Sequence, residues 1–171
     1  MPSSNNFTRA DSWFEKGKGE TDCFASFIYY WIAFNALYYN NAGGERSQIK
    51  RFVENEYNNA FDNAFDSILE LPAVAIFKAP IVNLHPPRSR SSSRVNTSTE
   101  AAIVADGSKT SAERLVNLML CVYQARCNLF HGEKGANDYR DQEIANAASN
   151  VMKEFLTIYF GGQQNGQTSI H

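Results

Sequence analysis

Apolar residues recur at helical spacing along most of this chain, and strand-like alternation is convincing nowhere. From about Asp22 to Tyr39, Phe24, Phe27, Ile28, Trp31, Phe34 and Tyr38 fall three or four apart, interrupted by Asn35; that is the period of a helix face. The other side of the same segment carries Tyr29, Tyr30, Ile32, Ala33 and Leu37. A helix apolar all round is either a central core helix or one covered by a partner subunit. Asn40-Asn41 and Gly43-Gly44 stop it. A second helix is predicted from about Ser47 to Leu71. Ile49, Phe52, Val53, Tyr57, Ala60, Phe61, Ala64, Phe65, Ile68 and Leu69 form its inner stripe, and Lys50, Arg51, Glu54, Asp62 and Asp66 lie on its wet side. Asn58-Asn59 is a candidate bend, and Pro72, which lacks an N–H, ends the helix.

Periodicity fails from Ala73 to Thr110, so residues 80–110 read as an irregular insertion. It returns from about Ser111 to Phe130, with Leu115, Leu118, Met119, Val122 and Leu129 on one stripe and Val116, Leu120, Tyr123, Cys127 and Phe130 on another. Gly132 suits the left-handed position just past a helix end. Asp138 is the expected N-cap of a last helix reaching about Phe160, with Asp141 and Glu143 in its first turn. Residues 161–171 read as a frayed, Gln/Gly-rich tail. Met1 to Glu20 holds one apolar cluster, Trp13-Phe14, and reads as a short helix or packed arm. The prediction is one all-α domain over residues 1–171: an antiparallel bundle of four main helices plus short accessory helices, with its core in 20–160.

Size and composition agree with that. At 171 residues, 43% hydrophobic and 13% aromatic, the chain can bury about 70% of its unfolded surface without staples. No apolar run approaches the roughly 20 residues of a membrane span, and the N-terminus shows no secretory h-region. The net charge of -2 argues against coating nucleic acid by bulk charge, but leaves room for a local phosphate site. Cys23, Cys121 and Cys127 are odd in number, with no CxxC and no His or Cys at zinc spacing. They read as reduced thiols of a cytoplasmic protein. No metal site and no cofactor is expected, since GxGxxG, P-loop and HExxH patterns are all missing.

The chemistry concentrates in Tyr123-Gln124-Ala125-Arg126-Cys127-Asn128-Leu129-Phe130-His131-Gly132. Arg offers a rigid fork that matches phosphate. His exchanges a proton near neutral pH, and an amide can hold an attacking or leaving oxygen. These groups suffice for phosphodiester transesterification without a metal, with His131 drawing the proton from an RNA 2′-hydroxyl and Arg126 holding the phosphate. On an ideal helix Arg126 and His131 lie about 140° apart, whereas Asn128 and His131 share a face. Either the helix ends near Phe130 and His131 turns back, or two subunits combine their groups in one groove. The same residues also suit a plain helix end, where cations complement the dipole. Arg126 could equally pair with a carboxylate of a neighbouring helix.

Arg-x4-His at the end of a late helix resembles the signature of the HEPN superfamily (higher eukaryote and prokaryote nucleotide-binding domains), whose motif is Arg-x(4–6)-His. The early helix segment Trp31-Ile-Ala-Phe-Asn-Ala-Leu-Tyr38 is similar to one in Apea-like and related HEPN proteins. Four core helices with an insertion before the motif helix match the family layout, so the resemblance spans most of Thr21 to Phe160. It implies a metal-independent endoribonuclease of the kind found in toxin–antitoxin, abortive-infection and other defence systems. It also implies a homodimer with two Arg/His motifs facing one cleft, and an antitoxin or regulatory protein as a further partner. Arg126 and His131 carry over directly. Family members often place a polar residue right after the Arg, where this chain has Cys127, so Asn128 is the nearest polar companion. A Tyr often follows two residues after the His in adenylylated members; here Glu133 stands there. Other HEPN domains are catalytically inactive and serve as binding or dimerisation modules. A ligand-free helical dimerisation protein is a third reading of this chain.

Weaker candidates surround that motif. Arg88, Arg90 and Arg94, in a stretch with no acid, could grip an RNA backbone; the same stretch also reads as a solvated insertion. Asn35 and Gln124 are polar residues on apolar helices and must be hydrogen-bonded if buried. Tyr29, Tyr30, Tyr38 and Tyr39 suit core packing more than base stacking. His85, before Pro86-Pro87, reads as a turn residue, and His171 is terminal.

Overall fold

The computed structural model describes residues 4–40, 43–81, 96–130 and 138–167, the side chains of 163–167 excepted. It is all-helical: α1 (Ser4–Lys18), α2 (Cys23–Tyr38), α3 (Glu45–Asn59), a single turn α4 (Asp66–Leu69), α5 (Ser98–Ala105), α6 (Ser111–Phe130) and α7 (Tyr139–Gln167). Two 3-10 segments, Phe61–Asn63 and Pro72–Lys78, flank α4 on either side. No strand occurs among the described residues, and no helix there is long and apolar enough to cross a membrane.

α2 is the central helix. Asp22 caps it, its Oδ1 accepting from the Ala25 N–H at 2.8 Å. Its many apolar faces are used within the chain: α1 and α7 pack against it, while Phe34 meets Phe52 of α3 at 5.6 Å and Trp31 meets Tyr123 of α6 at 5.9 Å between ring centroids. One stripe, Phe24, Ile28, Ile32, Asn35 and Ala36, stays only half-buried. α7 runs beside α2 in the same direction, with Ser26 and Ser149 sharing a 2.9 Å hydrogen bond and Phe34 and Phe155 an edge contact at 5.4 Å. α3 and α6 are antiparallel: Glu45 reaches Arg126 at one end and Tyr57 reaches Ser111 at the other.

The predicted starts of α6 and α7 hold. Thr110 and Glu113 form a reciprocal capping box: the Thr110 N–H donates to Glu113 Oε2 at 3.0 Å, and the Glu113 N–H donates to Thr110 Oγ1 at 3.2 Å. Asp138 caps α7, its Oδ1 accepting from the Asp141 N–H at 3.0 Å.

Four expectations are corrected. The N-terminal piece is a full helix of 15 residues, because Trp13 stacks on Tyr29 and Phe14 lies against Tyr30 and Phe160. The helix expected over Ser47–Leu71 is broken after Asn59. Asp62 and Asn63 both take positive φ, 51° and 52°, a conformation that Asp and Asn tolerate better than other side-chain-bearing residues. The insertion expected over 80–110 is partly helical: α5 is too short to show a period, yet buries Ala101 and Val104. Finally, α7 continues through Gly161-Gly162 to Gln167; glycine in a helix costs only about 1 kcal/mol and need not end it.

Helices α1 and α2 approach closely at Gly17. A Cβ there would lie 2.5 Å from Tyr30 Cε1 and 2.7 Å from Cδ1, and Tyr30 is itself buried. Gly→Ala inside a helix normally gains roughly 0.5–1 kcal/mol. Here Gly17→Ala should instead destabilise by about 1–3 kcal/mol through overpacking. Urea unfolding checks this; an unchanged or higher midpoint would refute the close-contact account.

Candidate functional site

The last turns of α6 carry Arg126, and tertiary packing surrounds its guanidinium. Cζ lies 5.6 Å from the Trp31 ring centroid and 4.8 Å from that of Phe130, distances at which a cation is attracted to a ring face. Trp31 is buried whereas Phe130 is exposed, so one ring is the floor and the other a cover open to solvent. Arg126 Nη1 stands 3.8 Å from Glu45 Oε2, and both side chains are about one quarter exposed, 28% and 27%. Arg126 Nε is buried without a hydrogen-bond partner among the described residues, as is Trp31 Nε1.

Glu45 opens α3, shortly after Gly43, whose φ of 81° favours glycine. Its Oε1 accepts from the Tyr38 hydroxyl at 2.8 Å, and it also interacts with Tyr123. Burial, then the neighbouring Glu45 carboxylate, pushes the Tyr38 hydroxyl well above the ordinary tyrosine range. Burial, then Cys127 and Glu45, does the same for Tyr123. Both phenols are therefore neutral donors around one carboxylate. A single carboxylate links α2, α3 and α6 at the place where Arg126 emerges.

The other sequence candidates separate. Asn128 and Gln124 are buried, 2% and 4% exposed, with Gln124 Nε2 donating to Asn128 Oδ1 at 3.0 Å. Two residues on a helix span about 200°, so Asn128 points away from Arg126 and the structure does not bring the two together. Asn35 is half-buried on the open stripe of α2. Tyr30 and Tyr38 are core, Tyr29 is half-buried on Trp13, and Tyr39 is exposed. His131, the Gly132 helix stop, Glu133, His85, His171 and the Arg88, Arg90 and Arg94 segment lie outside the described residues.

All three cysteines are free thiols. Burial pushes the Cys121 thiol up to about 12, which makes it a poor nucleophile. Among the described residues no group of three or more His, Cys, Asp or Glu side chains is arranged to hold a metal.

Residue type and spacing select Arg126 and allow it a carboxylate partner from a neighbouring helix, which is Glu45; the surrounding Tyr38, Trp31 and Phe130 are not among the sequence candidates for its site. Phe130 lies one turn along α6 from Arg126, whereas Glu45, Tyr38 and Trp31 come from α3 and α2, which no spacing links to it. The chain matches no family model, and neither a curated protein nor a solved structure matches it.

Proposed function

We propose that this chain is a HEPN-like, metal-independent endoribonuclease that cleaves RNA by transesterification and leaves a 2′,3′-cyclic phosphate. Arg126 is the phosphate clamp, His131 the general base or acid, and Asn128 a buried support for the end of α6. The observation that carries the reading is the Arg126 guanidinium, seated between two rings and still partly open to solvent. An arginine prepared in this way offers a planar fork to an incoming phosphate at little further ordering cost. Its buried, unpartnered Nε is a donor that an oxyanion could satisfy after a small side-chain shift.

In this reading the chain acts as a cytoplasmic homodimer. The half-buried stripe of α2, Phe24, Ile28 and Ile32, is the surface offered for the second copy. Phe24 shares a small hollow with Leu129 of α6, so a dimer on this face would set two copies of the motif near one another. An antitoxin or regulatory protein would restrain such an activity in a toxin or defence system.

A second reading, a catalytically silent HEPN-like module that binds RNA, a nucleotide or a protein, draws on the Glu45 carboxylate already facing Arg126. The deciding experiment is cleavage of total RNA by purified protein in EDTA, beside His131→Ala. Cyclic-phosphate ends made by the wild type alone support the nuclease. Equal activity in both refutes the role of His131, and retained RNA binding without cleavage supports the silent module.

Glu45 should also act as an internal competitor of phosphate. A part-exposed pair of this kind is worth about 1 kcal/mol or less. Glu45→Gln is therefore expected to tighten binding of a short RNA by up to about fivefold, the gain shrinking at high salt. Fluorescence anisotropy at two ionic strengths measures it. Weaker binding would mean that Glu45 instead holds Arg126 in place.

A further inference from the structure

The other end of α3, about 20 Å from Glu45 by helix rise, carries a second feature. Helical periodicity assigns Phe61 and Phe65 to the same inward stripe. In the structure Phe65 is buried at 3% exposure, but Phe61 is turned out at 84%. The chain leaves the helix at Ala60, whose backbone is extended (φ -75°, ψ 143°), and two left-handed residues, Asp62 and Asn63, follow Phe61, a conformation that Asp and Asn visit more readily than other side-chain-bearing residues.

Beside the break lies a groove of about 460 Å³. Its apolar walls are Phe61, Phe65, Ile158 and Tyr159, with Ala60 and Ala64 between them. Among the described residues, the charged ones lining it are Glu56 and Asp62. Glu56 is half-buried, and its carboxylate accepts from Asn55 Nδ2 at 3.2 Å. The volume is in the range of ligand pockets and suits apolar anchors of a docked segment. These two carboxylates disfavour a polyanion and favour a cation.

We propose that this groove is a docking site for a protein segment bearing an apolar anchor flanked by Lys or Arg. The anchor packs on Phe61, Phe65 and Ile158, and the basic residues meet Glu56 and Asp62. The site is separate from Arg126 and does not depend on the nuclease reading.

The test uses the full chain and two fluorescent amphipathic helical peptides, one of Leu and Lys and one of Leu and Glu in the same pattern. The Leu/Lys peptide should bind, with NMR shifts centred on residues 56–66 and 158–162. Phe61→Ser should weaken it at least about tenfold, as loss of a central anchor does, and Asp62→Asn by less. Because Phe61 is so exposed, thermal melting should show Phe61→Ser folded like the wild type. Equal binding of both peptides, unchanged binding by Phe61→Ser, or no binding of either would overturn the proposal. Self-association of the wild type that Phe61→Ser abolishes would assign the groove to a second copy and overturn it as well.

Discussion

Arg126→Ala is expected to lower RNA cleavage by about 10²–10³-fold, the cost of removing one well-placed donor to a developing oxyanion, with little loss of stability. The two effects separate because Arg126 contributes little to the fold. Its ion pair with Glu45 is long and part-exposed, worth about 1 kcal/mol at most. Its ring contacts add roughly 0.5–1 kcal/mol at such a site. A fall of a few degrees in Tm beside a collapse in kcat is the expected pattern. Arg126→Lys sharpens the test, since it keeps the charge but loses the planar fork, and should recover binding more than turnover. If Arg126→Ala lowered Tm and cleavage in proportion, the residue would be a structural cap and the proposed clamp would be wrong. If cleavage were unchanged, the active site would lie elsewhere.

The largest effect on stability is expected from Phe155→Ala. Phe155 is fully buried and sits where three segments converge: Phe34 of α2 at 5.4 Å, Phe52 of α3 at 6.3 Å and Phe65 at 4.9 Å between ring centroids. Phe→Ala in a packed core costs about 3–5 kcal/mol through lost transfer energy and the cavity left behind. For a chain of this length each kcal/mol lowers Tm by about 2–4 °C, so a drop of roughly 6–20 °C is expected by calorimetry. A drop like that of Phe61→Ser, whose ring is already in solvent, would show that the three segments do not share one core there.

Phe61 and Phe65 mark the limit of what the sequence makes legible. Periodicity places α2, α6 and the body of α7 because each is long enough for several turns to repeat the same burial requirement. Apolar spacing carries the predicted helix on to Leu71, with Asn58-Asn59 as a candidate bend at the place where α3 ends. The break depends on how α3 must turn to pack, and Phe61 and Phe65 look alike in one dimension. α1 and α5 carry too little periodic signal for the opposite reason. Trp13 and Phe14 announce burial, but the partners that make α1 a helix, Tyr29, Tyr30 and Phe160, come from other segments. α5 spans eight residues, too few for a period to show.

The candidate site divides in the same way. Arg126, Asn128 and His131 could be chosen from residue type and spacing, since the chemistry of a guanidinium, an amide and an imidazole is local. The angle between Arg126 and Asn128 is also local, because both lie on α6. Asn128 bonds Gln124 one turn away on the same helix, so that contact is local too, whereas the packed helices decide what lies across from Arg126. They alone decide that α2 supplies Trp31 beneath Arg126 and that the first residue of α3 supplies a carboxylate. By itself, the sequence determined an all-helical chain with an Arg-x4-His motif, because helix formation and side-chain chemistry are properties of neighbours along the chain. Tertiary structure decided what faces that motif and where Phe61 points, because contacts between remote helices depend on the whole core packing at once.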